Sequence, residues 1–324
     1  IHGTFLEIEK DLSDAVKLHG INKIKEIIAF GDSWTMGEGW VDHPEEKIAI
    51  KEREWDNEIY KTESQKIIQI RNENSWVRML AEEYGVKWSN HGSSGSSNRD
   101  MLNKFWDIIM RPHILNSDSK PLIIVMFSSF MRDSLEIFPG PWEKTFLGWT
   151  HDEFKENPNF YTNPFEQKLK NVYGNEVMKE SAPKTFDYIK ELKKFELTYR
   201  KKYIVDIFEE SFLEHVNVNY VNLIHDACKY FDIPLIMCNA FETVIKDRPQ
   251  YKKFKFKNYF LQDSTMYHEL IKEDNYQDLF QKSEYFQEYT LAKMTGQHPN
   301  LKGYKKITGY IKEFIEKNGK HIFV

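Results

Sequence analysis

Residues 121–127 read PLIIVMF, with no polar side chain among them. A strand of this kind has no face to give to water, so it must be covered on both sides. That is the situation of a strand inside a parallel sheet flanked by helices. The rest of the chain repeats the requirement. A second apolar run, EIIAF at Glu26–Phe30, ends in the turn GDSWTMGEG. The spacing of Trp76, Met79 and Leu80 predicts a helix over Ser75–Tyr84, stopped by Gly85. A short strand, VKWSN, follows and ends at Asn90, and the loop HGSSGSS leads on from it. Ser97 and Asp100 form a capping-box pattern for a helix carrying Met101, Phe105, Ile108 and Ile109, bounded by Pro112.

Further along, Val221, Ile224, Cys228 and Phe231 give a helical stripe leading into the strand IPLIMC. Tyr304, Ile307, Ile311 and Phe314 mark a last helix, expected to stop at Gly319. Strands alternating with helices predict an α/β fold with a parallel sheet covered on both sides. Two stretches break the rhythm, at about 134–201 and 241–294. Both are rich in aromatics, the first with prolines and the second with charges. They are expected as insertions on a single domain spanning 1–324. The plain reading makes them long loops with a few helices. The sharper one makes them a lid or a subunit contact.

With 324 residues, the chain is long enough to bury a substantial core. Its composition, 40% hydrophobic and 29% charged, belongs to an ordered globular protein. The net charge of -5 gives no basic excess, so no nucleic-acid partner is expected. Two cysteines, Cys228 and Cys238, cannot make a disulfide framework and fit a reducing compartment or a core. No apolar run approaches the ~20 residues a membrane helix needs. The opening stretch, IHGTFLEIEKDLSDAV, does not read as a signal peptide.

Three loops carry the residues suited to chemistry. Gly31-Asp32-Ser33 leaves the first strand at the end where parallel sheets place their sites. A helix after that turn would aim backbone N–H groups at the serine. Asn90-His91-Gly92-Ser93-Ser94-Gly95 follows the second strand, where glycines let backbone approach a ligand. His298-Pro299-Asn300 precedes the last helix, and an imidazole is suited to taking and returning a hydroxyl proton. Each has a plain alternative: Ser33 as a helix cap, Gly92 and Gly95 as a tight turn, Asn300 as the cap of the last helix. His91, His225 and His268 show no paired metal-ligand spacing and read as structural or surface residues.

Taken in order, GDSWTMG, NHGSSG and HPNLKG resemble the blocks of the GDSL, or SGNH, hydrolase family. The resemblance implies a three-layer α/β/α fold of flavodoxin-like type. It implies a serine esterase acting on an O-acyl or O-acetyl ester, on a carbohydrate or lipid, through an acyl-enzyme at Ser33. His298 would be the general base, and the N–H groups of Ser33 and Gly95 would form the oxyanion hole. Asp32 would shape the turn and Asn90 would support it. No metal or organic cofactor is implied.

The chain departs from the family in two places. The family's Asn after the third strand is replaced by Ser129, which stands in the oxyanion hole with a hydroxyl able to donate one hydrogen bond at shorter reach, followed by Arg132, a charge able to compensate or to bind an acidic group. The Asp expected three residues before the histidine is Thr295, which implies a Ser–His dyad or an acid from another loop. A looser similarity, through Asn74-Ser75-Trp76 and the third block, is to large variants among tailed-phage structural proteins. It implies a virion-associated esterase or, as the competing function, a non-catalytic structural protein on the same fold, in a virion assembly or homo-oligomer; the location expected for the chain is cytoplasmic or virion-associated.

Overall fold

Among the described residues, four parallel strands form one sheet, and their order explains where its polar loops meet. The structure is a computed structural model that describes residues 24–37, 68–93, 96–117, 119–130, 133–136, 144–147, 210–245, 248–280 and 298–322. The strands are β1 (Glu26–Phe30), β2 (Lys87–Asn90), β3 (Leu122–Phe127) and β6 (Leu235–Asn239), in the spatial order β2-β1-β3-β6. In register, Ile27 pairs with both Trp88 and Leu122, and Ile124 pairs with Ile236. The chain turns one way from β1 to β2 and the other way to β3. That reversal is the switch point at which doubly wound folds gather their sites.

Side chains alternate across the sheet. Ile27, Ala29, Ile124, Met126 and Cys238 face one layer; Ile28, Phe30, Val125, Phe127 and Met237 face the other. Helices α2 (Trp76–Tyr84), α6 (Met266–Ile271) and α7 (Leu301–Ile322) cover the first face through Trp76, Leu80, Met266 and Tyr304. Helices α3 (Asn98–Ile109), α4 (Pro112–Leu115) and α5 (Glu210–Tyr230) cover the second through Phe105, Ile114, Val221 and Ile224. All six residues of β3 are buried, each contributing roughly 1.5–3 kcal/mol for a fully buried aliphatic or aromatic side chain. The architecture is therefore a three-layer α/β/α sandwich on a parallel sheet, as the apolar runs predict.

Local signals hold at several termini. Ser97 and Asp100 close a full capping box at the start of α3, and Gly85 ends α2 in the left-handed region at φ 62°. The last helix differs from expectation. It runs through Gly319 to Ile322 and bends at Asn318 (φ -122°, ψ 16°), whose side-chain amide donates to the Phe314 carbonyl. Two helical runs meet across this kink, one residue before the expected stop at Gly319.

Part of the second irregular stretch builds the core. Tyr251 and Tyr259 pack on one side of the sheet, and Met266, Leu270, Leu279 and Phe280 on the other. Residue Tyr259 also makes an isolated parallel bridge to Met237, adding to the β6 edge. The chain divides into two units, residues 1–130 with 217–324 and residues 131–216. Within the second, β4 (Asp133–Glu136) and β5 (Lys144–Leu147) pair antiparallel. The remainder of the 134–201 stretch, and any lid formed by it, lies outside the described residues. No described helix is long and apolar enough to cross a membrane.

Candidate active site

The turn after β1 is a single helical turn, α1 (Ser33–Met36). Its cap is Asp32, not Ser33: Asp32 Oδ1 accepts the Trp34 N–H at 3.0 Å. The serine hydroxyl is thereby left for other work. Gly37 closes the turn in the left-handed region at φ 92°, and its N–H donates to the Ser33 carbonyl. With only four residues in α1, a few local N–H groups act here rather than a long helix dipole. Gly31 is required by space, because a Cβ there would lie 2.0 Å from Thr35 Oγ1.

The loop after β2 is sewn to that turn. Asn90 Nδ2 donates to the Thr35 carbonyl at 2.7 Å, and Asn90 Oδ1 accepts the Gly92 N–H at 2.9 Å. The Ser93 N–H donates to the Gly31 carbonyl. Gly92 sits so close that a Cβ would meet the Met36 nitrogen at 2.5 Å. His91 stacks on Phe30 with ring centroids 5.4 Å apart, consistent with a structural role. Burial, with the nearby charges of Lys104 and Arg111, holds its imidazole below the usual histidine range.

At the entry to α7, Asn300 accepts the Lys302 and Gly303 N–H groups through Oδ1 and donates to the Asp278 and Phe280 carbonyls through Nδ2. It is the cap the sequence suggests, and it ties the loop to residues 278–280 of the second irregular stretch. Gly303 lets the two meet, since a Cβ there would lie 2.3 Å from the Leu279 carbonyl oxygen. The loop so fixed brings His298 Nε2 to 2.8 Å from Ser33 Oγ. Ser33 is 3% exposed and His298 half-buried. A hydroxyl within hydrogen-bond reach of an imidazole can pass it a proton as the oxygen attacks an electrophile. Among the described residues no hydrogen bond uses the Ser33 N–H.

Ser129, at the exit of β3, donates its hydroxyl to Glu242 in the loop after β6. A hydroxyl has one proton, so in this arrangement it is directed to a carboxylate and not to an oxyanion. Glu242 has no motif to announce it. Its one sequence signal is positional, a carboxylate three residues past the end of β6. Around the same turn, Trp34 makes ring contacts at 6.1–6.3 Å with Phe241, Tyr267 and Phe280. Gly95, Arg132 and Thr295 lie outside the described residues.

A scan of known protein families finds no match to the chain, and no curated protein matches it. Among solved structures, one similar chain is described as a lipolytic protein of the G-D-S-L family from Desulfitobacterium hafniense DCB-2. It has a TM-score of 0.35 and 12% identity, covering 90% of this chain and 99% of that one. Another is LAE5, an α/β hydrolase enzyme from the metagenome of Lake Arreo, Spain. Its TM-score is 0.26 with 13% identity, over 90% of this chain and 94% of that one.

Proposed function

We propose that the protein is a serine ester hydrolase of SGNH type. Ser33 attacks the ester carbonyl while His298 Nε2 takes its proton. The acyl group is carried on Ser33, the alcohol leaves with the proton returned by His298, and water releases the acid. The N–H groups of Ser33 and Gly95 receive the oxyanion. Asp32 and Asn90 hold the turn, Arg132 meets an acidic part of the substrate, and Thr295 or an acid from another loop steadies the imidazole. The substrate class is an O-acyl or O-acetyl ester on a carbohydrate or lipid. The stretches at 134–201 and 241–294 are read as insertions on one catalytic domain.

One observation carries this reading: the 2.8 Å contact between His298 Nε2 and Ser33 Oγ at the switch point of the sheet. The test is hydrolysis of a short-chain chromogenic ester, with fluorophosphonate labelling of Ser33, by the full chain and by Ser33→Ala. Turnover and labelling that both vanish in the alanine variant support it. A wild-type chain that neither turns over nor takes the label overturns it.

The commitment of Ser129's proton to Glu242 favours a second reading. In it the chain is a non-catalytic structural protein on the same fold, in a homo-oligomer or a virion. A stable oligomer in light scattering, without labelling, supports that alternative.

A further inference from the structure

Two asparagines on different helices meet beneath the site. Asn98 opens α3 and Asn217 lies on α5; they are 1% and 3% exposed. Asn98 Nδ2 donates to Asn217 Oδ1 at 2.7 Å. The same Asn98 side chain grips the backbone of Ser128 at both ends. Its Oδ1 accepts the Ser128 N–H at 2.8 Å, and its Nδ2 donates to the Ser128 carbonyl at 3.2 Å. Asn217 Nδ2 donates to the Phe130 carbonyl at 3.2 Å. Residues 128–130, the exit of the central strand β3, are therefore pinned from two helices.

The network continues toward the nucleophile. Ser128 Oγ donates to Asp32 Oδ2 at 3.0 Å, and both residues are fully buried. The other oxygen of Asp32 takes the Trp34 N–H at 3.0 Å. Ser33 stands between the carboxylate and the backbone group that this carboxylate holds. Buried amides and carboxylates carry a large desolvation cost unless every polar atom is paired. An apolar pair would fill the same volume. The amides add direction, because each bond fixes one rotation of the exit loop and, through Ser128, the orientation of Asp32.

We propose that Asn98 and Asn217 are positioning residues for Ser33, acting through Ser128 and Asp32; this rests on the hydrolase reading above. Misplacement of a reacting group by about 1 Å can cost on the order of 10²-fold in rate. A residue that only stabilises the fold would lower the melting temperature without changing the reactivity of the folded fraction.

The test compares the rate of Ser33 labelling by a fluorophosphonate with the melting temperature, on the full chain. Asn98→Ala and Ser128→Ala are each expected to slow labelling at least ~10-fold, and the double variant no more than the worse single, since the two act along one path. Ser128→Thr, which keeps the hydroxyl, is expected to restore the rate. Val221→Ala, in the core of α5, is expected to lower the melting temperature with labelling within about twofold of wild type. Ser128→Ala removes a single oxygen, so it reads out even where an asparagine variant does not fold. Labelling unchanged in Ser128→Ala, or slowed equally by Val221→Ala, overturns the proposal alone. A wild-type chain that takes no label overturns the hydrolase reading and this one with it.

Discussion

The side-chain amide of Asn90 donates to the backbone carbonyl of Thr35 at 2.7 Å, joining the loop after β2 to the helical turn that bears Ser33. Asn90→Asp exchanges the donor for an oxygen facing an oxygen. The expected cost is about 1–3 kcal/mol, that of a buried acceptor left unpaired. Chemical denaturation would show it as a lower midpoint with an unchanged slope.

Removing the imidazole tests the pair directly. His298→Gln keeps a polar side chain of similar reach and lacks the base. Labelling of Ser33 and any ester turnover are expected to fall by about 10²–10⁴-fold, the usual worth of general base catalysis. The far-ultraviolet circular dichroism spectrum is expected to match wild type, since Asn300 and Gly303 hold the loop independently.

Glu242→Gln tests whether the Ser129 hydroxyl takes part in the reaction. The amide accepts more weakly than a carboxylate, so the Ser129 proton becomes freer to meet an oxyanion. If Ser129 serves the reaction, turnover of a short-chain ester is expected to rise. Unchanged turnover would show that its hydroxyl takes no part.

His91 titrates below the ordinary histidine range because it is buried against Phe30, with Lys104 and Arg111 nearby. The folded state therefore binds this proton less readily than the unfolded chain, whose value is about 6.5. Stability from this group is fully present above that value and falls as pH drops through it toward the lower folded value. Nuclear magnetic resonance titration of the ring is expected to place its midpoint below 6.5. His91→Phe is expected to flatten the acid limb of the stability curve between the two.

Burial pushes the thiols of Cys228 and Cys238 well above their usual range. Thiolate is the reactive form, so neither is expected to react with a disulfide reagent in the native chain. Both are expected to react rapidly in denaturant.

The pattern of what the sequence discloses follows from range. β3 is legible because six buried apolar residues in a row exclude a solvent-facing strand. The capping box at Ser97 and Asp100 is legible because its partners are three residues apart. Gly319 lies one residue from the break: the regular helix ends at the neighbouring Asn318, and a second helical run carries on beyond it. The Asn98–Asn217 pair spans 119 positions, and Ser129–Glu242 spans 113. Such contacts leave no local trace, since each asparagine or glutamate alone reads as an ordinary surface residue. Ser33 and His298 are more widely separated still. Their loops could be named because each motif sits beside a strand end or a helix start, while their meeting could only be expected.

That separation has a temporal consequence. Ser33 and His298 stand 265 residues apart, and the histidine loop is anchored to the start of α7. Synthesis proceeds from the amino end at about 5–20 residues per second, so the serine emerges from the ribosome many seconds before its imidazole. During that interval the hydroxyl has no imidazole within hydrogen-bond reach. A product terminated before residue 298 would carry the serine without the imidazole beside it.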